Sequence, residues 1–244
     1  KPLLLRAVGP GLASQGVASP LADPQLELHD STGSVIAANN DWGETDAAAI
    51  RATAQRVGAF PLGDGSKDAA LLVTLSPALY TDHVNIQNGA PGIALVEIYD
   101  ADTDASQALT HRLVNLSARD FAGAGEQVLI GGFVIAGSSP KRVLLRAIGP
   151  GLTSQGVSGV NTDPNLVLFN SSGGHVADND DWAYSNQTDI LPGIFSKVGA
   201  FQLASGSFDS ALVITLQPGV YTAQATGRNG ETGVVLLEIY EVPD

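Results

Sequence analysis

Neither cysteine nor methionine occurs among the 244 residues of this chain. Without cysteine the chain can form no disulfide, no thiolate metal site and no cysteine nucleophile. No apolar run approaches the roughly 18 residues that a membrane-spanning helix requires, so we expect no membrane insertion. Because the sequence opens on Lys1 and not on methionine, we expect it to be a processed or excised piece of a longer product.

Basic residues are also scarce. The sequence has 12 Lys and Arg against 25 Asp and Glu, which gives a formal net charge of −13. That balance repels phosphate backbones, so nucleic acid is excluded as an expected partner. Hydrophobic residues make up 44% and charged residues 15%, which favours a packed core over disorder. The 28 glycines and 13 prolines are typical of many short strands joined by turns.

Internal duplication is the strongest feature of the sequence. Residues 1–17 recur as residues 141–157, at an offset of 140. After one inserted residue the offset becomes 141, so that residues 97–99 match residues 238–240. Agreement over this length predicts two copies of one structural unit.

Hydrophobic patterning within each copy predicts short strands separated by Gly, Pro, Asn and Asp. One helical stretch, residues 46–57, has Asp46 as a candidate N-cap and Gly58 at its end. Its counterpart at 188–198 contains Pro192 near the start, which predicts a shorter helix. We therefore predict an all-β fold of two tandem jelly-roll-like β-sandwich modules, each with one short helical insertion.

Residues 100–140 have no second copy inside the chain. They contain two strand candidates, which we assign to the second module. The predicted domains are module 1 at residues 1–100, an acidic linker at 101–112, and module 2 at 113–244. Module 1 then lacks its first strand pair, which we expect to precede residue 1. The apolar residues of the pair that would complete a module are Leu113, Val114, Leu116, Val128, Ile130, Phe133 and Ile135.

Two groups of segments carry a family resemblance. Residues 112–119, 128–135 and 146–150 together resemble a repeat of large secreted bacterial surface proteins. Residues 26–30, the Asn40-Asp41-Trp42 turn and residues 75–80 are similar to parts of the bacterial pre-peptidase C-terminal domain, a β-sandwich or jelly roll appended to exported proteins. The resemblance implies export to the bacterial cell surface and an accessory role in adhesion, spacing or substrate binding, without catalysis.

Catalytic motifs are missing from the sequence. There is no Gly-x-Ser-x-Gly string, and the four histidines form no His-Glu-x-x-His motif. We therefore expect no enzymatic activity. Arg6 and Arg146 lie in apolar strands and need partners if buried; Asp68 and Asp209 are the candidates.

Calcium is the one cofactor that the sequence suggests. The Asn-Asp turns supply the oxygen ligands that calcium prefers, at Asn40, Asp41, Asp180 and Asp181. A weaker candidate is the alternation of Asp100, Asp102 and Asp104 in the linker. The alternative is that these side chains form Asx-turns with their own backbone.

Trp42 and Trp182 follow these turns at equivalent positions and are candidates for stacking on a polysaccharide. The alternative is that each tryptophan packs beneath a loop. The expected function is therefore a non-enzymatic, extracellular structural or adhesive repeat protein. Its expected partners are neighbouring repeats, or copies of itself joined head to tail in a surface filament by β-strand exchange. The competing function is a carbohydrate-binding accessory module of a secreted enzyme.

Overall fold

The structure is a computed structural model that describes residues 1–103, 112–123 and 127–243. It divides into two compact units, unit 1 at Lys1–Arg112 and unit 2 at Leu113–Asp244. Both units are built from antiparallel sheets, so the fold is all-β. Within the described residues no helix is long and apolar enough to cross a membrane. Most of the predicted linker, residues 104–111, lies outside the described residues.

Unit 2 consists of two four-stranded sheets. One sheet has the order β12–β9–β14–β7 and the other has the order β11–β10–β13–β8. The strands are β7 (Asn115–Ala122), β8 (Leu129–Ile135), β9 (Lys141–Ile148), β10 (Pro164–Asn170), β11 (His175–Asn179), β12 (Ser210–Leu216), β13 (Gly219–Gly227) and β14 (Gly233–Glu241). The single-copy segment therefore supplies one edge strand to each sheet.

Unit 1 has the same arrangement without those two edge strands. Its three-stranded sheets have the orders β4–β1–β6 and β3–β2–β5. The strands are β1 (Pro2–Val8), β2 (Pro24–His29), β3 (Val35–Asn39), β4 (Ala69–Thr74), β5 (Thr81–Ile86) and β6 (Leu95–Asp100). β5 and β6 correspond in sequence to β13 and β14.

Each unit has two apolar layers, one on either side of the sheet that contains β1 or β9. Side chains alternate along β9, so that Leu145 and Ala147 face the second sheet while Leu144 and Ile148 face a helical layer. This double coverage explains why β1 and β9 read as continuous apolar runs. The helical layer contains α1 (Ala47–Val57) in unit 1 and α2 (Leu191–Val198) in unit 2.

The two helices differ at their N-termini. α2 has proline in its first turn and is shorter than α1, as the sequence predicts. Asp46 does occupy the N-cap position of α1, but its backbone is left-handed and its side chain makes no capping hydrogen bond. The prediction that the Asp46 side chain caps the helix is therefore wrong. Gly58 does end α1, with φ at 77°. That left-handed conformation is one that glycine adopts at little cost.

A buried arginine links the central strands of each unit. In unit 2 the Arg146 guanidinium lies 2.7 Å from a Glu238 carboxylate oxygen and donates to the carbonyl oxygen of Phe201 at 2.6 Å. In unit 1 Arg6 pairs with Glu97 at 3.0 Å. The prediction that Asp68 and Asp209 neutralise these arginines is therefore wrong. The glutamates lie directly opposite on the neighbouring strand, where the register places them.

Asp68 instead holds the Gly-Pro-Gly loop. Its carboxylate accepts hydrogen bonds from the backbone N–H groups of Gly9 at 2.8 Å and Gly11 at 3.0 Å. Asp209 does the same for the equivalent loop of unit 2. A Cβ on Gly9 would lie 2.1 Å from the carbonyl oxygen of Leu21, so only glycine fits there.

We expect Glu238→Ala to lower the free energy of unfolding of unit 2 by about 3–5 kcal/mol, because it leaves the buried Arg146 charge unpaired. Glu241→Ala is the control on the same strand, since the Lys141–Glu241 pair is more exposed; it should cost less than about 1 kcal/mol. Urea unfolding followed by Trp182 fluorescence in a Trp42→Phe background measures both effects. Equal losses from the two substitutions would contradict this account.

Candidate functional site: the open face of unit 1

The outer edges of β5 and β6 are the part of unit 1 that differs most from unit 2. In unit 2 the corresponding edges pair with β8 and β7 through continuous antiparallel ladders. In the described part of unit 1 no strand pairs with either edge. An unpaired edge presents a row of backbone N–H and C=O groups that a further strand can bind.

The inward-facing residues beside these edges are incompletely covered. They are Tyr80, Asp82, Val84, Val96 and Ile98, and together with the two free edges we call them the open face of unit 1. Val96 has 46% of its surface exposed, whereas its counterpart Leu237 has 1% exposed. The apolar residues of β7 and β8 provide this cover in unit 2. The open face is thus a sandwich interior without its last two strands.

Asp82 is the one charged residue on this face. Its counterpart in unit 2 is Ala223, which is fully buried in the core. One oxygen of the Asp82 carboxylate is buried without a hydrogen-bond partner. Burial raises the pKa of Asp82 to about 6. An inward-pointing charge on an edge strand disfavours pairing with a strand that would bury the charge without a partner. Asp82 therefore limits which strands this face can bind.

The apolar residues predicted to lie on the strand pair that completes a module differ in burial. Ile135 is buried and Leu116 and Phe133 pack against the core. Leu113, Val114 and Ile130 are more than half exposed, so they do not contribute to the core of unit 2. Val128 precedes β8 and is half-buried. Sequence reasoning missed Leu129 and Gly131, which face inward because side chains alternate along β8.

Phe133 makes a defined contact within this pair of strands. Its ring stacks on the ring of Tyr221, with the ring centroids 5.6 Å apart. Tyr80 is the counterpart of Tyr221 in unit 1, and its hydroxyl donates to the carbonyl oxygen of Ser76 in the same way that Tyr221 donates to Gln217. The tyrosine is therefore held in the same way in both units, although among the described residues only Tyr221 has an aromatic ring stacked on it.

The predicted calcium residues lie beside basic side chains. In unit 1 the Asp41 carboxylate pairs with the Lys67 ammonium at 2.5 Å. In unit 2 Asp180 pairs with Arg228. These cations come from unrelated positions, since the counterpart of Lys67 is Phe208. Each turn therefore has its own positive charge, with which a calcium ion would compete.

Asparagine side chains close the same turns. The Asn39 amide donates to the carbonyl oxygen of Asp41, and its oxygen accepts from the N–H of Ala70. Asn179 makes the equivalent bonds in unit 2. These bonds join side chain to backbone, but Asn39 and Asn179 make them, and not the four residues proposed as calcium ligands. Among the described residues no group of three or more His, Cys, Asp or Glu side chains could hold a metal ion.

Some acidic oxygens near these turns nevertheless lack partners. Buried oxygens of Asp163 and Asp181 have no hydrogen bond. Burial raises the pKa of Asp163, and the charges of Asp180 and Glu231 act in the same direction. In the linker candidate, Asp100 and Asp102 both pair with the Lys1 ammonium, and Asp104 lies outside the described residues.

Both tryptophans are buried. Trp42 has 2% and Trp182 has 5% of its surface exposed. The indole N–H of Trp42 donates to the carbonyl oxygen of Gly63 at 3.1 Å, and that of Trp182 donates to Ser207 at 3.1 Å. Because neither ring offers a free face, the expectation that they stack on a polysaccharide is not supported. They pack beneath loops, which is the alternative interpretation.

Two histidines that belong to no sequence motif lie together on the outer face of β2 and β5. The rings of His29 and His83 have centroids 4.2 Å apart. Glu27 lies directly opposite His83 in the register and 3.4 Å from the His29 ring nitrogen. The signal that could have found this pair is the hairpin register of β2 with β5, which no local motif reveals.

Comparisons with known proteins identify no family. No family model matches the chain, and no curated protein matches it. Among solved structures, a pre-peptidase C-terminal domain of collagenase from Bacillus anthracis is 12% identical, with 52% of this chain and 89% of that chain covered and a TM-score of 0.32. Infectious bursal disease virus VP2 is 10% identical over 98% of this chain and 56% of that chain, with a TM-score of 0.22. At these similarities no property of either protein is carried over.

The raised pKa of Asp82 predicts a pH-dependent stability of unit 1. A carboxyl whose pKa rises from 3.8 to about 6 on folding binds more protons in the native state, so stability is lost as pH rises through that window. Asp82→Asn should remove this loss. Because the side chain is partly exposed, the gain above pH 6 should be on the order of 1–2 kcal/mol, with no gain near pH 4.

Asp30→Asn is the control, because folding lowers the pKa of Asp30 whereas it raises that of Asp82. Hydrogen bonds from Thr32 and Ser34 lower the pKa of Asp30, so its replacement should lose stability at neutral pH and not at low pH. Urea unfolding between pH 3.5 and 8, followed by Trp42 in a Trp182→Phe background, measures both. Stability curves for wild type and Asp82→Asn that run parallel across this range would refute the assignment.

Thermal unfolding decides the calcium hypothesis. An ion at 100 times its Kd would stabilise its unit by about 2.7 kcal/mol. Since Lys67 and Arg228 already neutralise the turns, we expect the same melting temperature in EDTA and in excess CaCl₂. A calcium-dependent rise that disappears in Asp181→Ala would restore calcium as a ligand.

Proposed function

We propose that the chain is a non-enzymatic structural repeat of the bacterial cell exterior, which spaces or joins other repeats. In this proposal each unit is a jelly-roll-like module of a tandem series. Unit 1 is completed when a neighbouring repeat supplies two strands that occupy the places of β7 and β8. The neighbour is either an adjoining repeat of a longer array or another copy in a head-to-tail filament.

The comparison of the two units is the observation that carries this proposal. The same sandwich occurs twice in one chain, with four-stranded sheets in unit 2 and three-stranded sheets in unit 1. The difference leaves Val96 exposed where Leu237 is buried. β7 and β8 are engaged in unit 2, so the strands that would cover unit 1 come from another segment. Strand addition of this kind uses main-chain hydrogen bonds for affinity and side-chain pockets for specificity.

A structural role also agrees with how the charged residues are used. The most deeply buried charges, Arg6, Arg146, Asp68 and Asp209, all serve packing or loop closure. A surface depression of about 420 Å³ in unit 1 lies near the His29–His83 pair, and the adjacent acidic residue Asp30 is engaged in a turn. Neither arrangement supplies a nucleophile next to a base.

The extracellular location rests on the sequence resemblance to secreted surface repeats. The acidic composition supports it, because a net charge far from zero keeps an exported protein soluble. The absence of cysteine is neutral on this point, since the fold uses buried ion pairs and apolar layers in place of disulfides.

Negative-stain electron microscopy of native material from the cell surface tests the proposal. We expect rods or filaments with a regular axial repeat. A denaturing gel separates the two forms of assembly, because a filament dissociates into short chains whereas an array remains one long polypeptide. Discrete single particles in the native material would reject strand exchange between repeats.

Matched variants locate the contact. Val96→Lys places a charge on the open face, and we expect it to prevent assembly. Val220→Lys is the control, because Val220 is also a valine about half exposed, at 51% against 46%, but lies in unit 2 beside an edge that β8 already covers. Equal assembly of both variants would show that the open face is not the contact.

A further inference from the structure

The side chains of the open face specify the strand pair that it accepts. The inference rests on the proposed function, since it concerns the partner of the same face. It follows from two positions at which unit 1 and unit 2 differ and which lie next to each other in the sandwich. In unit 2 the residues at these positions, Ala223 and Leu237, lie beside Gly131, the first of the two glycines of β8.

Unit 2 leaves little space for a side chain at position 131. In the register of β8 with β13, Gly131 lies directly opposite Ala223. A Cβ built on Gly131 would lie 2.9 Å from the Cδ2 atom of Leu237 and 3.3 Å from the Cδ1 atom of Ile239. A Cβ contact below 3.0 Å forces a neighbouring atom to move, and here that atom is the tip of Leu237, a side chain buried in a close-packed core. No larger residue fits there without displacing Leu237.

Unit 1 differs at two positions around this point, although Ile98 keeps the place of Ile239. Val96 replaces Leu237 and has no δ-carbon, so the atom that would clash with a Cβ is missing. Asp82 replaces Ala223, which puts a carboxylate directly opposite the same position. One oxygen of this carboxylate is buried and lacks a hydrogen-bond partner. At this position the open face therefore lacks the δ-carbon that excludes a side chain in unit 2, and it carries a carboxylate on the adjacent strand.

We propose that the open face of unit 1 accepts a strand pair of the β7–β8 type that carries a lysine or arginine at the position that Gly131 has in β8. The basic side chain pairs with Asp82 across the two strands. The remaining inward positions keep the apolar character of β7 and β8, with an aromatic residue against Tyr80 as Phe133 lies against Tyr221.

Electrostatics makes this choice selective. A strand pair with the sequence of β7–β8 itself would cover Asp82 with the apolar residues Leu129 and Phe133 and offer it no donor. A buried carboxylate without a partner is costly, whereas an opposed basic group compensates for the desolvation. Specificity of this kind combines an attractive contact with a penalty for the wrong partner.

Peptide binding to the full chain tests the inference. The probes are labelled peptides with the sequence of residues 112–137 that carry Gly131→Lys or, as the uncharged control of equal length, Gly131→Met. At pH 7.5 Asp82 is ionised, because its pKa is about 6. We expect the lysine peptide to bind wild-type protein about tenfold or more tightly than the methionine peptide. Hydrogen exchange should show protection of β5 and β6.

Tested against Asp82→Ala, the same two peptides complete a double-mutant cycle between position 131 of the peptide and Asp82. Alanine is the residue that unit 2 has at this position, so the variant is expected to fold. In this variant the preference for the lysine peptide should disappear, and the methionine peptide should bind at least as well. Asp82→Asn repeats the measurement with a side chain of the original size.

The outcomes separate this inference from the proposed function. If both peptides protect β5 and β6 equally in wild type, the open face accepts strands but Asp82 does not select them, and only the inference fails. If no peptide protects β5 or β6 in wild type, Asp82→Ala or Asp82→Asn, the face is not an acceptor and both fail. Protection confined to β13 and β14 would mean displacement within unit 2 and would also overturn the inference.

Discussion

The buried guanidinium at the centre of each unit is the constraint on which the rest of the structure depends. Arg146 has no exposed surface, and its ring neighbours Phe195 and Phe201 lie within 4.9 Å and 4.5 Å of its charge. The guanidinium joins strand β9 to Glu238 on β14 and to the chain that follows α2. Because an unpaired charge there would be costly, strand register and helix position are specified together. Arg6 imposes the same geometry on unit 1.

Because both units share these buried arginine contacts, the positions at which their sequences differ can be compared directly. Where the two copies agree, as in the Gly-Pro-Gly loops held by Asp68 and Asp209, the chemistry maintains the sandwich. Where they diverge, the change alters a surface: Lys67 and Arg228 neutralise equivalent acidic turns from different positions. Asp82 and Val96 diverge together at the edge where unit 1 lacks neighbours, which is why that edge is the candidate for function.

Periodicity in the sequence predicted an all-β fold of short strands, because alternation and apolar runs report burial directly. The same signal was insufficient for the completing strand pair. All seven predicted interface residues are apolar, yet Ile130 faces outward and Gly131 faces the core. Hydrophobicity identifies a strand more reliably than it identifies which face is buried, because both faces of β8 carry apolar residues. The calcium and glycan hypotheses likewise depended on exposure, which residue type alone does not determine.

The amino-acid sequence by itself determined the duplication, the all-β character, the positions of the strands and the two helices, and the existence of one unmatched strand pair. Each of these follows from local pattern or from the agreement of two segments along the chain. Only the tertiary structure decided which carboxylates neutralise the buried arginines, that both tryptophans are covered, and that Asp82 and Val96 lie beside strand edges that pair with no described strand. These outcomes depend on register and packing between segments distant in sequence, where distance in space and access to water, not residue type, set the energies.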